Sequence, residues 1–192
     1  MNNEETGYVL LGEQPSGLTN KGIYYFSGEV NQQSAKEIIT WILEENFKPN
    51  SSNYDHLTLM ITSFGGDMMA GFAVIDTMRG SRIPIHTIGL GVIASAGLMI
   101  HIAGEKGNRM ITPNTSILSH QWTWGAFGKE HELLATHKQF DLTTKRVLDH
   151  YKKCTGLSEK VIKSKLLPAQ DVWLSSEEAI QYNLTDIVKD LK

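Results

Sequence analysis

Two strand–glycine–helix passages in succession constrain this chain more than anything else in it. His56-Leu57-Thr58-Leu59-Met60-Ile61-Thr62-Ser63 alternates apolar and polar residues, the period of a half-buried strand. It ends in Phe64-Gly65-Gly66-Asp67, and Met68 to Arg79 follows with helical spacing. The pattern then repeats. Ile85-His86-Thr87-Ile88-Gly89-Leu90 reads as a strand, Gly91-Val92-Ile93-Ala94-Ser95-Ala96-Gly97 as a tight turn, and residues 98–103 as an apolar helix. Strands separated by helices are not hairpins, so the expected class is α/β with parallel strands joined by right-handed crossovers.

The flanks extend the pattern. Gly22-Ile23-Tyr24-Tyr25-Phe26-Ser27-Gly28 predicts a buried strand. Asn31 or Ser34 caps the next helix, whose apolar positions are Ala35, Ile38, Ile39 and Ile42, widened by Trp41 and Leu43. Residues 1–20 read as an N-terminal arm with a short strand at Tyr8-Val9-Leu10-Leu11, and Lys48 to Asn53 as a loop. Arg109 to Pro113 is extended, and Ser116 to His120 is a short strand. From about Lys129 to Lys153 no proline or glycine interrupts a helix with Leu133, Phe140, Val147 and Tyr151 on one face. Such a helix is about 35 Å long, as long as a small domain is wide. Part of it is therefore expected to project and pack on another subunit. Ser158 caps a short helix that Leu167-Pro168 breaks, Ser175 caps a last helix through Tyr182, and Asp186-Ile187-Val188 is a final strand.

The 192 residues suit one domain, assigned here to 21–192. A net charge of −3 argues against nucleic-acid binding. Cys154 is the sole cysteine, so no disulfide framework forms within the chain and a reducing compartment is expected. The N-terminus lacks a secretory pattern and no apolar run spans a bilayer, so the expected location is cytoplasmic, with no membrane partner. The seven histidines have no metal-ligand spacing, and no metal or organic cofactor is expected.

One hydroxyl, Ser95, sits at the second turn among residues too small to shield it. A serine presented between a strand and a helix suits nucleophilic attack; the plainer alternative is close packing. A nucleophilic serine needs a base, an orienting acid and oxyanion donors. His120, ending a strand at the carboxyl edge of the sheet, is the leading base candidate over His86, His101, His131 and His137. Asp171 is the leading acid, with Asp67 as competitor; Asp67 also fits a helix cap. Gly65-Gly66 offers backbone N–H groups unobstructed by side chains, or is an ordinary turn.

Taken together these segments resemble the proteolytic subunits of the Clp protease, the ClpP family, from about Gly22 to Leu191. Ser63-Phe64-Gly65-Gly66 is similar to the family's Ser-Pro-Gly-Gly, and Gly91 to Gly97 to its nucleophile segment. Ile75-Asp76-Thr77-Met78, Ala103 to Arg109, Pro113-Asn114, His120-Gln121 and Asp171 to Ser175 follow in family order, with Glu178-Ala179 and Tyr182-x-Leu184-x-Asp186. The resemblance implies a ClpP/crotonase-like spiral of ββα units with a projecting long helix. It implies a serine endopeptidase with Ser95 as nucleophile, His120 as base, Asp171 as orienting acid, and the Gly66 and Ala96 amides as oxyanion hole. Trp124, Gly125, Ala126, Phe127 and Gly128 would lie beside an extended peptide substrate. It further implies a homo-oligomer of heptameric rings, single or stacked, and an AAA+ unfoldase partner that hydrolyses ATP.

The chain departs from the family pattern at Phe64 and Trp122, where proline is usual, and at Val92-Ile93. It departs again at Gln170, where arginine is common, and at Thr58 and Met60, in the strand before Gly65-Gly66 where the family's aromatic residues help form the pocket at which the unfoldase docks. Three alternatives stand beside the peptidase reading: a crotonase-fold acyl-CoA enzyme, an inactive ring or scaffold subunit, and a viral maturation-type protease working without an unfoldase.

Overall fold

The computed structural model describes residues 16–48 and 54–191. The strand expected at Tyr8 to Leu11 and most of the Lys48–Asn53 loop lie outside them. The described end of the expected arm is not irregular: Ser16–Thr19 form a helical turn, α1.

Strands β1 (Ile23–Ser27), β2 (Leu57–Ser63), β3 (Ile85–Ala94), β4 (Arg109–Ile111) and β7 (Ile187–Val188) lie in the order β1-β2-β3-β4-β7, all parallel. Helices α2 (Gln32–Phe47) and α3 (Met68–Gly80) make the crossovers predicted from the alternating pattern. Asn31 caps α2, and its side chain and that of Ser34 bond reciprocally to each other's backbone N–H. On α2, Ala35, Ile38, Trp41 and Ile42 are buried, whereas Leu43, expected to widen the apolar face, is exposed. In β2 burial alternates strictly: Leu57, Leu59, Ile61 and Ser63 face the core. Each fully buried Leu or Ile contributes about 1.5–3 kcal/mol through the water it sheds.

Strand β3 is longer than predicted. It runs through Gly91 to Ala94, and the turn is confined to Ser95. The reason lies in its partners. Its first half pairs with β4 (Thr87 to Gly89), and its second half pairs with β5 (Ser116–Ser119). Between them the β2 register slips, so that Ile61 to Ser63 spans Gly89 to Ile93. Thr62 Oγ1 fastens the bulge by donating to the Leu90 carbonyl at 2.9 Å. Gly91 takes φ +63°, a conformation L side chains disfavour. A bulge of this kind re-aims a strand; here it carries β3 from one neighbour to the next and delivers Ser95 beside β5.

Helix α4 (Ala96–Ile102) follows. Helix α5 (Glu130–Thr155) is the uninterrupted helix expected from the sequence. Its buried residues all fall in its second half, at Thr143, Val147, His150, Tyr151 and Thr155. Leu133, expected on the packed face, is exposed, as is Leu134. Helix α6 (Glu159–Val161), capped by Ser158, runs into a π-helical turn at Ile162–Leu166. Strand β6 (Val172–Leu174) then pairs antiparallel with β5, and α7 (Ser176–Gln181) starts from the Ser175 cap. Among the described residues no helix is long and apolar enough to cross a membrane.

Candidate active site

The register of three strands gathers Ser95, His120 and Asp171 at one edge of the sheet. Ala94 pairs with Leu118 across the parallel β3–β5 ladder, and Ser95 N donates to the Leu118 carbonyl at 3.1 Å. Ser119 pairs with Val172 across the antiparallel β5–β6 ladder, so the next rung sets His120 opposite Asp171. His120 Nδ1 lies 3.6 Å from Asp171 Oδ1, with Asp171 largely exposed. That separation exceeds a hydrogen bond. Likewise, no hydrogen bond joins Ser95 to His120 among the described residues.

The segment around His120 is anchored on both sides. Ser119 Oγ donates to the Leu166 carbonyl at 2.6 Å and meets the Tyr151 hydroxyl at 3.1 Å. Gln121 Nε2 donates to the Leu167 carbonyl at 3.1 Å. The same stretch, 166–171, leads into Asp171, so His120 and Asp171 are fixed to one another through the backbone.

Ser95 has φ 53° and ψ −123°, one of two non-glycine residues with positive φ among those described. Backbone strain of this order costs about 1–3 kcal/mol and persists only where surroundings over-determine it. Gly65 supplies part of that determination. A Cβ there would lie 2.6 Å from the Ser95 Cβ and 3.0 Å from Ala96 N. Gly65 and Gly66 take φ +96° and +142°, and Val30 clasps them: Val30 N donates to Gly65 O, and Asp67 N to Val30 O. Gly65 N–H is taken up by Ser63 Oγ at 3.0 Å. The Gly66 and Ala96 amides donate to no group among the described residues, so both remain available to an incoming oxygen.

Beside these glycines opens a cleft of about 590 Å³, lined by Ser27, Glu29, Thr62, Phe64 and Val92 among others. Phe64 is exposed at its rim. A second pocket, about 340 Å³, opens just past His120. Trp122 stacks on Phe140 at 5.0 Å and donates its indole N–H to Thr144 Oγ1 at 3.2 Å; Trp124 tilts onto the same ring. Trp124 to Gly128, the expected substrate strand, are exposed and form neither helix nor strand.

The rival side chains stand elsewhere in the fold. Asp67 accepts from Met69 N and Ala70 N at 2.7 and 2.9 Å, so it caps α3. His86 stacks on His56 at 3.8 Å, and burial, with His56 beside it, holds its pKa below the ordinary value. His137 lies on the exposed part of α5 near Asp141. His101 is fully buried with both ring nitrogens unpartnered; burial and the nearby Arg109 lower its pKa to about 3. Sequence reasoning missed the Arg109–Asp186 pair, although both residues stand in quoted motifs. It also missed the Trp122–Phe140–Trp124 cluster, whose only signal was the unusual density of aromatics after His120.

A parallel-dominated α/β sheet ending in a strained serine, with a histidine and an aspartate facing each other beside it, has the ClpP-like fold. The comparisons agree. The Clp protease family pattern matches residues 12–192. A relative from Deinococcus radiodurans, named ATP-dependent Clp protease proteolytic subunit, is 32% identical over 176 residues, covering 91% of this chain and 83% of the relative. The chain belongs to the Clp protease family.

Proposed function

We propose that this chain is a serine endopeptidase of the Clp type, hydrolysing peptide bonds through an acyl-enzyme on Ser95. The observation that carries the reading is the ladder register placing Ser95, His120 and Asp171 at one sheet edge. His120 removes the Ser95 proton as Oγ attacks the peptide carbonyl. Asp171 orients the imidazole, and the free Gly66 and Ala96 amides receive the oxyanion. His120 then gives its proton to the departing amine, and water, deprotonated by the same histidine, releases the acyl group. No metal or organic cofactor enters these steps. Trp124 to Gly128 present unpaired backbone along which an extended peptide adds as a strand.

The same reading takes residues 21–192 as one peptidase domain behind an arm at 1–20. It takes the working form as a ring-shaped homo-oligomer in the cytoplasm, fed by an AAA+ unfoldase. Two features support the oligomer. Parallel sheets are ordinarily covered on both faces, yet in β2 and β3 alternate residues, from Thr58 and Met60 to Ile88 and Leu90, stay half exposed. The first half of α5 also carries exposed Leu133, Leu134 and Leu142.

The test is intact mass after treatment with a fluorophosphonate, with Ser95→Ala in parallel. One adduct in the parent and none in the variant is the expected result. An adduct that survives Ser95→Ala, or none in either protein, overturns the assignment.

A further inference from the structure

Ser95 is held from the strand side by β3, β5 and Gly65. What holds it from the helix side is less obvious, because α4 has seven residues and Ser95 makes no side-chain cap. The relevant contact is buried beneath it. Met99, one turn along α4, donates its N–H to the Ser95 carbonyl at 3.0 Å. Its own carbonyl lies 2.9 Å from Nε2 of His150, a buried residue of α5. A carbonyl only accepts, so Nε2 carries the proton and Nδ1 is bare. The bare nitrogen has a donor: Arg79 Nη2, from the last turn of α3, at 2.7 Å.

The result is a continuous chain of hydrogen bonds, Arg79 to His150 to Met99 to Ser95, and consecutive bonds of this kind reinforce one another. It joins three helices. Helix α3 begins at the Gly65-Gly66 loop, α4 begins at Ser95, and α5 follows the Trp124–Gly128 segment. From this juxtaposition we infer that His150 is a positioning residue for Ser95. It seats α4 against α3 and α5 in the one register that keeps the strained serine aimed along the sheet edge. The inference rests on the serine-peptidase reading above, and His150 touches neither substrate nor Ser95 Oγ.

The surroundings enforce the single tautomer. Arg79 faces the ring from α3, the Met99 carbonyl from α4, and the Cys154 thiol and Lys153 from α5 itself, with the Tyr151 ring edge-on at 6.3 Å. Burial first, then the Arg79 charge, keep the imidazole neutral, its pKa lowered to about 4. An imidazolium would turn Nδ1 into a donor facing the guanidinium and break the chain at that link.

The experiment measures fluorophosphonate labelling rate at Ser95 in the assembled protein, for the parent, His150→Leu, His150→Gln and Arg79→Ala. Glutamine donates to the Met99 carbonyl and accepts from Arg79, so it replaces both bonds. His150→Leu is expected to label about tenfold more slowly, as misplacing a reacting group does. His150→Gln should recover the parent rate to within about threefold, as a like hydrogen bond restores. Arg79 is exposed, so Arg79→Ala keeps the core and serves even where the leucine variant fails to assemble. Its labelling rate should fall about fivefold below the parent's, because Nδ1 then has no donor to hold the ring, a loss of one hydrogen bond. Leucine and glutamine variants that label at one common rate, or an Arg79→Ala variant that labels at the parent rate, overturn the positioning role. A parent that takes no label overturns the serine reading, and the role of His150 with it.

Discussion

Gly65 leaves no room for a side chain against Ser95: a Cβ on it would come within 2.6 Å of the serine Cβ and 2.9 Å of the Ala94 carbonyl. Both atoms belong to the strand end that presents the hydroxyl, so they have little freedom to retreat. Gly65→Ala, at φ +96°, adds backbone strain to this clash. The expected outcome is a folded protein in which fluorophosphonate labelling of Ser95 falls by about a hundredfold, as small displacements of reacting groups do. Circular dichroism and intact mass together check it, and labelling at the parent rate would contradict the close approach.

The Arg109–Asp186 pair is expected to hold the last strand on the sheet. Asp186 accepts from Arg109 Nε and Nη2 at 2.8 and 2.6 Å, and from the Gly107 and Arg109 amides. Arg109 is buried and also donates to the Cys154 carbonyl. Asp186→Asn leaves that guanidinium without its counter-charge, which costs about 3–5 kcal/mol for buried pairs. Denaturant midpoints should show it, with the slope unchanged.

His101 makes the opposite prediction. Its side chain, carried on α4, is fully buried with neither nitrogen bonded among the described residues. His101→Leu removes that orphaned pair and should stabilise by about 1–3 kcal/mol, the usual cost of an unsatisfied buried polar group. A lower melting temperature in the variant at pH 7 would refute this.

Acid should destabilise the fold through His101 and His150. Their folded pKa values are lowered to about 3 and about 4, chiefly by burial, below the unfolded value near 6.5. The unfolded chain therefore binds more protons between these limits. Stability is fully present above about pH 6.5 and declines as pH falls toward 4 and then 3. Melting temperatures from pH 8 to 4.5 should fall in the parent and fall less in His101→Leu.

Trp122→Ala should change which peptides are cleaved. Its indole walls the 340 Å³ pocket next to His120 and is pinned by Thr144 and Phe140. Removing it enlarges the pocket, so kcat/KM should shift toward bulkier apolar residues, by about 10-fold per fitted group. Parent and variant compared on a peptide library provide the check.

The sequence by itself determined the α/β class, most of the strands and helices in order, and the residues worth examining; the antiparallel strand β6 was not among those expected. Apolar alternation in β2 and helical spacing in α2 and α3 are local periodicities, and the Asn31, Asp67 and Ser175 caps are local hydrogen bonds. The pairing of Ser95 with β5 was not legible, because it depends on the bulge at Gly89 to Ile93, where β3 changes neighbours. Nor was the exposure of Leu43 and Leu133, since an apolar residue at helical spacing is buried only if another element arrives to cover it. The roles of Asp67 and His101 were likewise open until burial and partners separated cap from orphan. Only the tertiary structure decided that His150, more than fifty residues from Ser95, shares one hydrogen-bond chain with it. Such contacts are set by how three helices seat against one another, and no spacing along the chain encodes that arrangement.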